Sequence, residues 1–200
     1  MSWAQLFERV PDGVTIAEIQ TVLAGYRSET RSDDGATDES TESEPLEATP
    51  LGVVADADVL AADCCVDGPS RAVLDELYEH SWMTLIASDR LLADAESVIK
   101  TVATPSVATA WHERITEWRQ PIEHPSTDHP ALGSAYRGGA MHLLSLDDEL
   151  TSSAAGATLN AHVSVSIRRP EAFQLLFDPE SLYAVAHDDQ YPGPDRRPRV

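Results

Sequence analysis

From Leu51 onward, short apolar segments alternate with segments of helical spacing, and this alternation constrains the fold more than any other feature. The strand candidates are "LGVVAD", "MTLIAS", "MHLLSL" and "HVSVSI". The helix candidates are "GPSRAVLDELYEH", "SDRLLADAESVIK", "VATAWHERITEWRQ", "HPALGSAYRGG" and the closing "RPEAFQLLF". Strands that alternate with helices predict a mostly parallel sheet with helices on both faces, which is a three-layer α/β/α sandwich.

The residues before Leu51 divide into two segments of different composition. The first contains two helix signals, with Ser2 and Thr15 as N-cap candidates and Gly25 as the predicted end of the second helix. The second holds many acids and almost no apolar side chains, which predicts disorder. The expected organisation is an N-terminal helix pair over 1–26, a disordered acidic linker over 27–50, the α/β domain over 51–186 and a flexible C-terminal tail over 187–200.

The chain is strongly acidic, with 34 Asp and Glu against 14 Lys and Arg and a net charge of −20. Its single lysine is Lys100. This composition resembles that of cytosolic proteins from salt-accumulating halophiles, in which surface carboxylates hold water and cations. No run reaches the roughly 18 apolar residues of a membrane span, and the first residues lack the pattern of a signal peptide. A cytoplasmic protein without membrane contact is therefore expected.

Three acids stand where strands end or where a helix begins. In parallel sheets, ligands bind beyond the carboxyl ends of the strands. Asp56 follows "GVVA", Asp147 follows "HLLS" after one residue, and Asp128 immediately precedes the helix that leads into that second strand. The predicted fold would gather these acids at one edge of the sheet, whereas most other acids are expected to be surface charges.

These residues resemble the PIN-domain nucleases over about Val53 to Phe173, which is most of the α/β domain. "DADVL" is similar to the family's opening motif, with Asp56 as the leading acid and Asp58 in its Asn or Asp position. "DHPALGSAYRGGA" is similar to a family motif at the start of a helix and supplies Asp128. "VSVSIRRPEAF" resembles the family's last strand and the helix that follows it.

Two further family acids have matches that depart from the usual pattern. "LLADAESVI" places Asp94 where the family usually has glutamate, and Glu96 is an alternative because both flank the apolar stripe of this helix. "SLDDEL" supplies Asp147 in a turn after a strand, where Ser145 and Leu146 replace the usual Thr and Gly.

The resemblance implies a metal-dependent endoribonuclease, of a toxin type or an RNA-processing type. Its catalytic and metal-binding residues would be Asp56, Asp94, Asp128 and Asp147, with Mg²⁺ or Mn²⁺ as the cofactor. Clustered carboxylates repel one another without a cation, and their oxygens suit hard divalent ions. Asp56→Asn is therefore expected to leave metal-free stability unchanged or to raise it. Asp58 is expected to orient the loop by hydrogen bonding.

The candidate substrate-binding residues are Arg168, Arg169 and Ser145, whose hydroxyl would also orient Asp147. A net charge of −20 opposes broad attraction to a DNA duplex. It favours single-stranded or structured RNA, which proteins recognise through shape and a few contacts.

Two other interpretations remain open at this stage. The first is a catalytically inactive PIN-like module that binds RNA or protein, because Asp94 and the altered turn depart from the family pattern. The second is a different doubly wound domain, although no glycine-rich loop follows the first strand. The small helix pair over 1–26 must dock on the main domain, on a second copy in a homodimer, or on a protein partner.

Overall fold

The computed structural model describes residues 1–33, 44–125, 128–152 and 165–199. The described strands are β1 Thr49–Ala55, β2 Thr84–Ala87, β3 Gln120–Pro121, β4 Ala140–Leu144 and β5 Ser166–Arg168. The described helices are α1 Trp3–Phe7, α2 Ile16–Asp33, α3 Ala57–Cys65, α4 Pro69–Glu79, α5 Asp89–Val102, α6 Pro105–Trp118, α7 Pro130–Gly138, α8 Asp148–Thr151, α9 Pro170–Leu176 and α10 Pro179–Ala186.

The described strands form one sheet in the order β3-β2-β1-β4-β5, and every neighbouring pair is parallel. Helices cover this sheet in three α/β/α layers, which confirms the predicted fold class. The central strand β1 is apolar because it is covered on both sides, and Val53 and Val54 are fully buried.

The sheet has its topological switch point between β1 and β4. Chain connections leave β1 towards β2 on one side and β4 towards β5 on the other, so a crevice opens beyond their carboxyl ends. Ala55 pairs with Leu144 in register, and the Asp56 amide donates to the Leu144 carbonyl at 2.8 Å. Asp56 and Ser145 therefore leave the sheet side by side at this crevice.

The N-terminal helices dock on the main domain. Docking on the domain was one of the three predicted ways to cover their apolar faces, beside a second copy and a protein partner. Helix α2 packs against α3 and α5, and Ile19 is fully buried. In α1, Leu6 is also fully buried, and Ser2 forms the predicted capping box with Gln5. The apolar stripe is thus covered within the chain. It therefore does not by itself predict a homodimer or a protein partner.

Two predicted boundaries differ from the structure. Helix α2 passes through Gly25 and continues to Asp33, so it enters the segment predicted as a linker. Arg27 explains this extension, since it lies one turn after the buried Leu23 and forms ion pairs with the domain. Strand β1 begins at Thr49, and the predicted linker residues 34–43 lie outside the described residues.

The segment over 187–200 that was predicted as a flexible tail contacts the domain through Arg199. The Arg199 side chain is fully buried and pairs with Asp63 of α3 at 2.6 Å and with Asp75 of α4 at 2.7 Å. Asp63 is itself fully buried. A buried carboxylate needs a counter-charge. Asp63 therefore holds Arg199 against the domain, although the polar composition of this segment alone predicts that it is solvated.

The remaining differences concern short strands and the last helix. The two-residue strand β3 and the helix α10 were not predicted. Of the predicted strand "HVSVSI", residues 162–164 lie outside the described residues, and the described strand is Ser166–Arg168. None of the described helices has the length and apolar character that crossing a bilayer requires.

Candidate functional site

Asp56 lies where β1 leaves the sheet, and it caps the following helix. Its side chain is fully buried, and Oδ1 accepts a hydrogen bond from the Ala57 amide at 2.7 Å at the start of α3. The other oxygen, Oδ2, accepts from the Ser145 hydroxyl at 3.3 Å. An N-cap acid is favourable beside the positive end of the helix dipole, which explains why an acid ends this strand.

Asp94 projects from α5 toward the same point, whereas Glu96 points to another part of the surface. Asp94 is 4% exposed and shares a partner with Asp56. Glu96 instead pairs with His112 of α6 at 2.9 Å on a more exposed surface. The sequence left open which of these two acids matches the family acid, because both flank the apolar stripe of α5.

The shared partner of the two acids is Arg27 of α2. Its Nη2 donates to Asp56 Oδ1 at 2.8 Å, and its Nε donates to Asp94 Oδ2 at 2.8 Å. Burial alone would lower the pKa of Arg27, but Asp56 and Asp94 more than offset this effect, so the pKa lies above its ordinary value. The guanidinium is therefore a fixed positive charge between two buried carboxylates.

His129 is the third group on this guanidinium. Arg27 Nη1 lies 3.1 Å from His129 Nε2. A guanidinium only donates, so Nε2 accepts and the imidazole is neutral with its proton on Nδ1. Burial, and then the charge of Arg27, lowers the pKa of His129, in agreement with a neutral ring.

Asp58 holds the loop after β4, in the orienting role expected from the sequence. Its Oδ2 accepts from the Leu146 amide at 3.1 Å, and its Oδ1 accepts from the Val59 amide at 2.7 Å. Burial, and then the charge of Asp56, raises the pKa of Asp58 to about 8. The acid is thus held in a setting that penalises its charge.

Ser145 and Asp147 form the turn that follows β4. The Asp147 amide donates to the Ser145 hydroxyl at 3.1 Å, so Ser145 links this turn to Asp56. Asp147 is half-buried and caps α8, with its Oδ1 accepting from the Glu149 amide at 2.7 Å. Hydrogen bonds through Ser145 and Asp147 therefore hold this turn.

Some of these groups border a cavity of about 560 Å³ between α2 and the loop after β4, but Asp56 and Asp94 are not part of its lining. The lining is mixed, with acids from α3 and the loop after β4 and apolar side chains such as Leu23 and Leu150. The lining includes Gln20, Arg27, Asp58, His129, Asp147 and Asp148.

The other predicted residues are placed differently. Asp128 is half-buried in the segment before α7, and it is neither in the cavity lining nor among the side chains that the structure joins to the other acids by hydrogen bonds. Arg169 pairs with Asp148 at the cavity. Arg168 lines a separate cavity of about 310 Å³ with Phe173 and Val185, so the structure does not bring it to the acids.

The donor set fits a hard divalent cation in its chemistry. Two buried carboxylates already hold one positive group between them, and their oxygens are ligands that suit Mg²⁺ or Mn²⁺. Within the part of the chain that the structure describes, however, no three His, Cys, Asp or Glu side chains are grouped closely enough to hold a metal ion. The guanidinium of Arg27 stands where a cation between Asp56 and Asp94 would lie.

The comparisons with known proteins identify a family. A sequence model of DUF7384, a family of unknown function, matches residues 47–199. The chain belongs to the DUF7384 family. No curated protein and no solved structure matches the chain. The DUF7384 region contains Asp56, Asp94 and Asp147, and it begins after Arg27.

Sequence reasoning missed Arg27 because it assigned this residue to a linker. One signal was present in the helical spacing: Gln20, Leu23 and Arg27 follow one another at three and four residues and share a face of α2. That face meets the DUF7384 region, where Gln20 Nε2 donates to the Leu146 carbonyl at 2.9 Å. An arginine that continues a buried stripe needs an acidic partner, and the sequence had already predicted two site acids, Asp56 and Asp94.

Proposed function

We propose that the chain is a metal-dependent, PIN-like endoribonuclease that hydrolyses RNA phosphodiester bonds. The observation that carries this proposal is the pair of buried carboxylates, Asp56 and Asp94, that share one cation at the switch point of the sheet. The PIN resemblance of "DADVL" and "LLADAESVI" involves these same two acids. Parallel sheets bind their ligands at this edge.

Asp56 and Asp94 would hold the metal ion, and Asp147, which lines the cavity, would contribute an oxygen through water. A bound Mg²⁺ or Mn²⁺ supplies an activated water and stabilises charge on the phosphate oxygens. Ser145 fixes the orientation of the Asp56 carboxylate, and Asp58 holds the loop that carries Asp147. Among the described residues, no hydrogen bond or ion pair joins the Asp128 side chain to these acids, so we assign it no ligand role in this proposal.

RNA is the substrate that the charge distribution favours. The chain carries a net charge of −20, and Asp148 and Glu149 add acids at the cavity. Such a surface repels the dense charge of a duplex, so binding depends on a few contacts in a confined space. Arg169, at the cavity through its pair with Asp148, is the arginine that would meet a phosphate there.

The test is a cleavage assay in molar KCl with labelled single-stranded RNA, hairpin RNA and duplex DNA. The wild-type protein and the Arg27→Gln variant are each assayed with Mn²⁺ and with a chelator. The variant is included because Arg27 stands between the two acids that would hold the metal. We expect Mn²⁺-dependent RNA cleavage that falls by about 100-fold or more in Asp147→Asn, the range found when an electrostatic group of an active site is removed. Glu113→Gln, on an exposed face of α6, is the control.

The absence of cleavage in both wild type and Arg27→Gln would contradict the proposal, as would equal activity of Asp147→Asn and Glu113→Gln. Cleavage that persists with the chelator would exclude the metal dependence.

The second candidate function is a PIN-like module without catalysis that binds RNA or protein. The ion pairs of Arg27 favour it, because they already neutralise charge on both acids. Calorimetric titration with Mn²⁺ separates the two functions. This candidate predicts that Arg27→Gln binds Mn²⁺ no more tightly than exposed surface carboxylates do.

A further inference from the structure

Arg27 and a divalent cation compete for the same carboxylate oxygens. The guanidinium uses Oδ1 of Asp56 and Oδ2 of Asp94, each at 2.8 Å. Asp56 and Asp94 are only 0% and 4% exposed, so a cation has little access to these oxygens from other directions. A metal ion that binds between the two acids must take the position of the guanidinium.

Electrostatics prevents both cations from occupying the site together. Asp56 and Asp94 supply two negative charges, and Arg27 supplies one positive charge at hydrogen-bond distance. A divalent ion placed beside an unmoved Arg27 would meet strong repulsion, because the side chain of Arg27 is only 18% exposed and water screens such a site poorly. Metal binding therefore requires the guanidinium to leave.

Helix α2 allows this departure at its C-terminal half. Up to Leu23 the helix is anchored by buried apolar side chains. After Leu23, the residues of α2 whose side chains are described, 24–30, include no buried one. The ion pairs of Arg27 with Asp56 and Asp94 attach this half of α2 to the domain.

The arginine and the acids also belong to different parts of the chain. Both acids lie in the matched family region 47–199, whereas Arg27 lies in the helical segment that precedes it. The segment thus adds to the acid site a cation that the family region does not itself supply.

We propose that Arg27 is a built-in inhibitory cation, which holds the acid site closed to divalent metal until the C-terminal half of α2 moves away. This inference rests on the proposed function, since it assigns the regulation of the same site. It makes the N-terminal helical segment an autoinhibitory element of the enzyme.

The experiment measures Mn²⁺ affinity by calorimetry in molar KCl for full-length wild type and Arg27→Gln. We expect Arg27→Gln to bind Mn²⁺ at least about tenfold more tightly, because no guanidinium must be displaced. Arg9→Gln removes the same charge from an exposed position of the same segment and should bind like wild type. Adding Asp94→Asn to Arg27→Gln should abolish the gain, which assigns the binding to this site.

Thermal unfolding gives a readout that does not depend on activity. Without divalent ions, Arg27→Gln should melt below wild type, because two buried carboxylates lose their counter-charge. With Mn²⁺, it should gain more stability than wild type gains, since bound metal stabilises in proportion to RT ln(1 + [L]/Kd). Arg27→Lys, which keeps the charge but has no planar fork, should lie between the two and gives a folded variant if Arg27→Gln is unstable.

The outcomes separate this inference from the proposed function. Equal Mn²⁺ affinity of Arg27→Gln and wild type at the Asp94-dependent site overturns the inhibitory role and leaves the metal site. The absence of Asp94-dependent binding in every variant overturns both. Tighter binding in Arg27→Gln without RNA cleavage supports the inhibitory role and contradicts the nuclease function.

Discussion

Asp56 is surrounded by donors, and its charge is compensated within the chain. Arg27, the Ala57 amide and the Ser145 hydroxyl all donate to its carboxylate. A cluster of uncompensated acids, which the sequence suggests, would gain stability from the loss of one charge. The ion pair with Arg27 reverses the expected sign for Asp56→Asn.

We expect Asp56→Asn to lower the free energy of unfolding by about 2 kcal/mol without divalent metal, the scale of a hydrogen bond to a charged group. The measurement is denaturant unfolding in molar KCl with a chelator present. Glu113→Gln, which removes an exposed acid, should change little. An increase in stability for Asp56→Asn would show that the acids repel more strongly than Arg27 attracts.

His142 predicts a pH dependence of stability. Burial, and then the charge of Arg168, lowers the pKa of His142 below its ordinary value of 6.5. Protonation therefore favours the unfolded chain, so the stability from this group is complete above pH 6.5 and is lost as the pH falls through 6.5 toward the lowered folded pKa.

From about pH 8 to about pH 5, wild type should consequently lose more stability than His142→Gln. Denaturant unfolding at a series of pH values checks this difference. His129 titrates in the same direction but is present in both proteins, so the comparison isolates His142. Parallel pH profiles for the two proteins would count against a partly buried, neutral His142.

At the scale of the element, α2 contains a glycine in its interior. Gly25 is exposed, and a Cβ added there meets nothing within 4 Å. We expect Gly25→Ala to raise the free energy of unfolding by about 1 kcal/mol, because alanine loses less backbone entropy in a helix.

The matched comparison is Gly139→Ala at the end of α7. Gly139 has a φ of 67°, and an added Cβ would clash with the backbone of Glu47. This substitution should lower stability by more than 1 kcal/mol. Thermal unfolding measures both variants, and a loss of stability in Gly25→Ala would mean that α2 is not helical at this position in solution.

Elements with regular apolar spacing could be predicted from the sequence, and those that depend on distant partners could not. Helices α4, α5, α6 and α7 were predicted because each has an apolar stripe or a Pro or Ser near its start. Strand β3 has two exposed residues and therefore no pattern. The half of α2 after Gly25 is polar and is joined to the domain through Arg27, whose partners lie 29 and 67 residues away in the chain.

The same limit applied to the candidate site. Asp56 and Asp147 were found because strand ends have a predictable place in the fold, and Asp94 was found by resemblance. Arg27 and Arg199 were assigned to a linker and a tail, because an arginine in a polar segment is normally solvated. Only the folded chain shows that each faces a buried aspartate.

At the scale of the whole molecule, Arg199 joins the C-terminal segment to the domain. It pairs with the fully buried Asp63, and its guanidinium lies over the ring of Trp3. Arg199→Ala should cost about 3 to 5 kcal/mol, because a buried charge loses its partner. Arg197→Ala, two residues away and exposed, should cost little when both are measured by denaturant unfolding. Equal stabilities of the two variants would contradict a buried Arg199.

The N-terminal helices should stay bound to the domain after the chain is cut. A specific protease site placed within residues 34–43, which lie outside the described part, separates α1 and α2 from the domain covalently. Because Leu6 and Ile19 are fully buried and Arg27 bridges two acids, both fragments should elute together in size exclusion. Arg27→Gln should weaken this retention and Arg9→Gln should not. Separate elution of the wild-type fragments would show that docking depends on the covalent link.

The position of Arg27 also bears on the rate at which the chain folds. Arg27 lies 29 residues from Asp56 and 67 residues from Asp94 along the chain, so all three groups meet only when distant segments pack. Closing such loops costs entropy before the contact forms. If α2 docks late, the transition state brings two like charges together without a counterion, and the barrier is high in dilute buffer. Molar salt screens that repulsion to about 3 Å and so lowers the barrier. In that case, the same ion pairs that set the resting state of the site would make the folding rate increase with salt concentration.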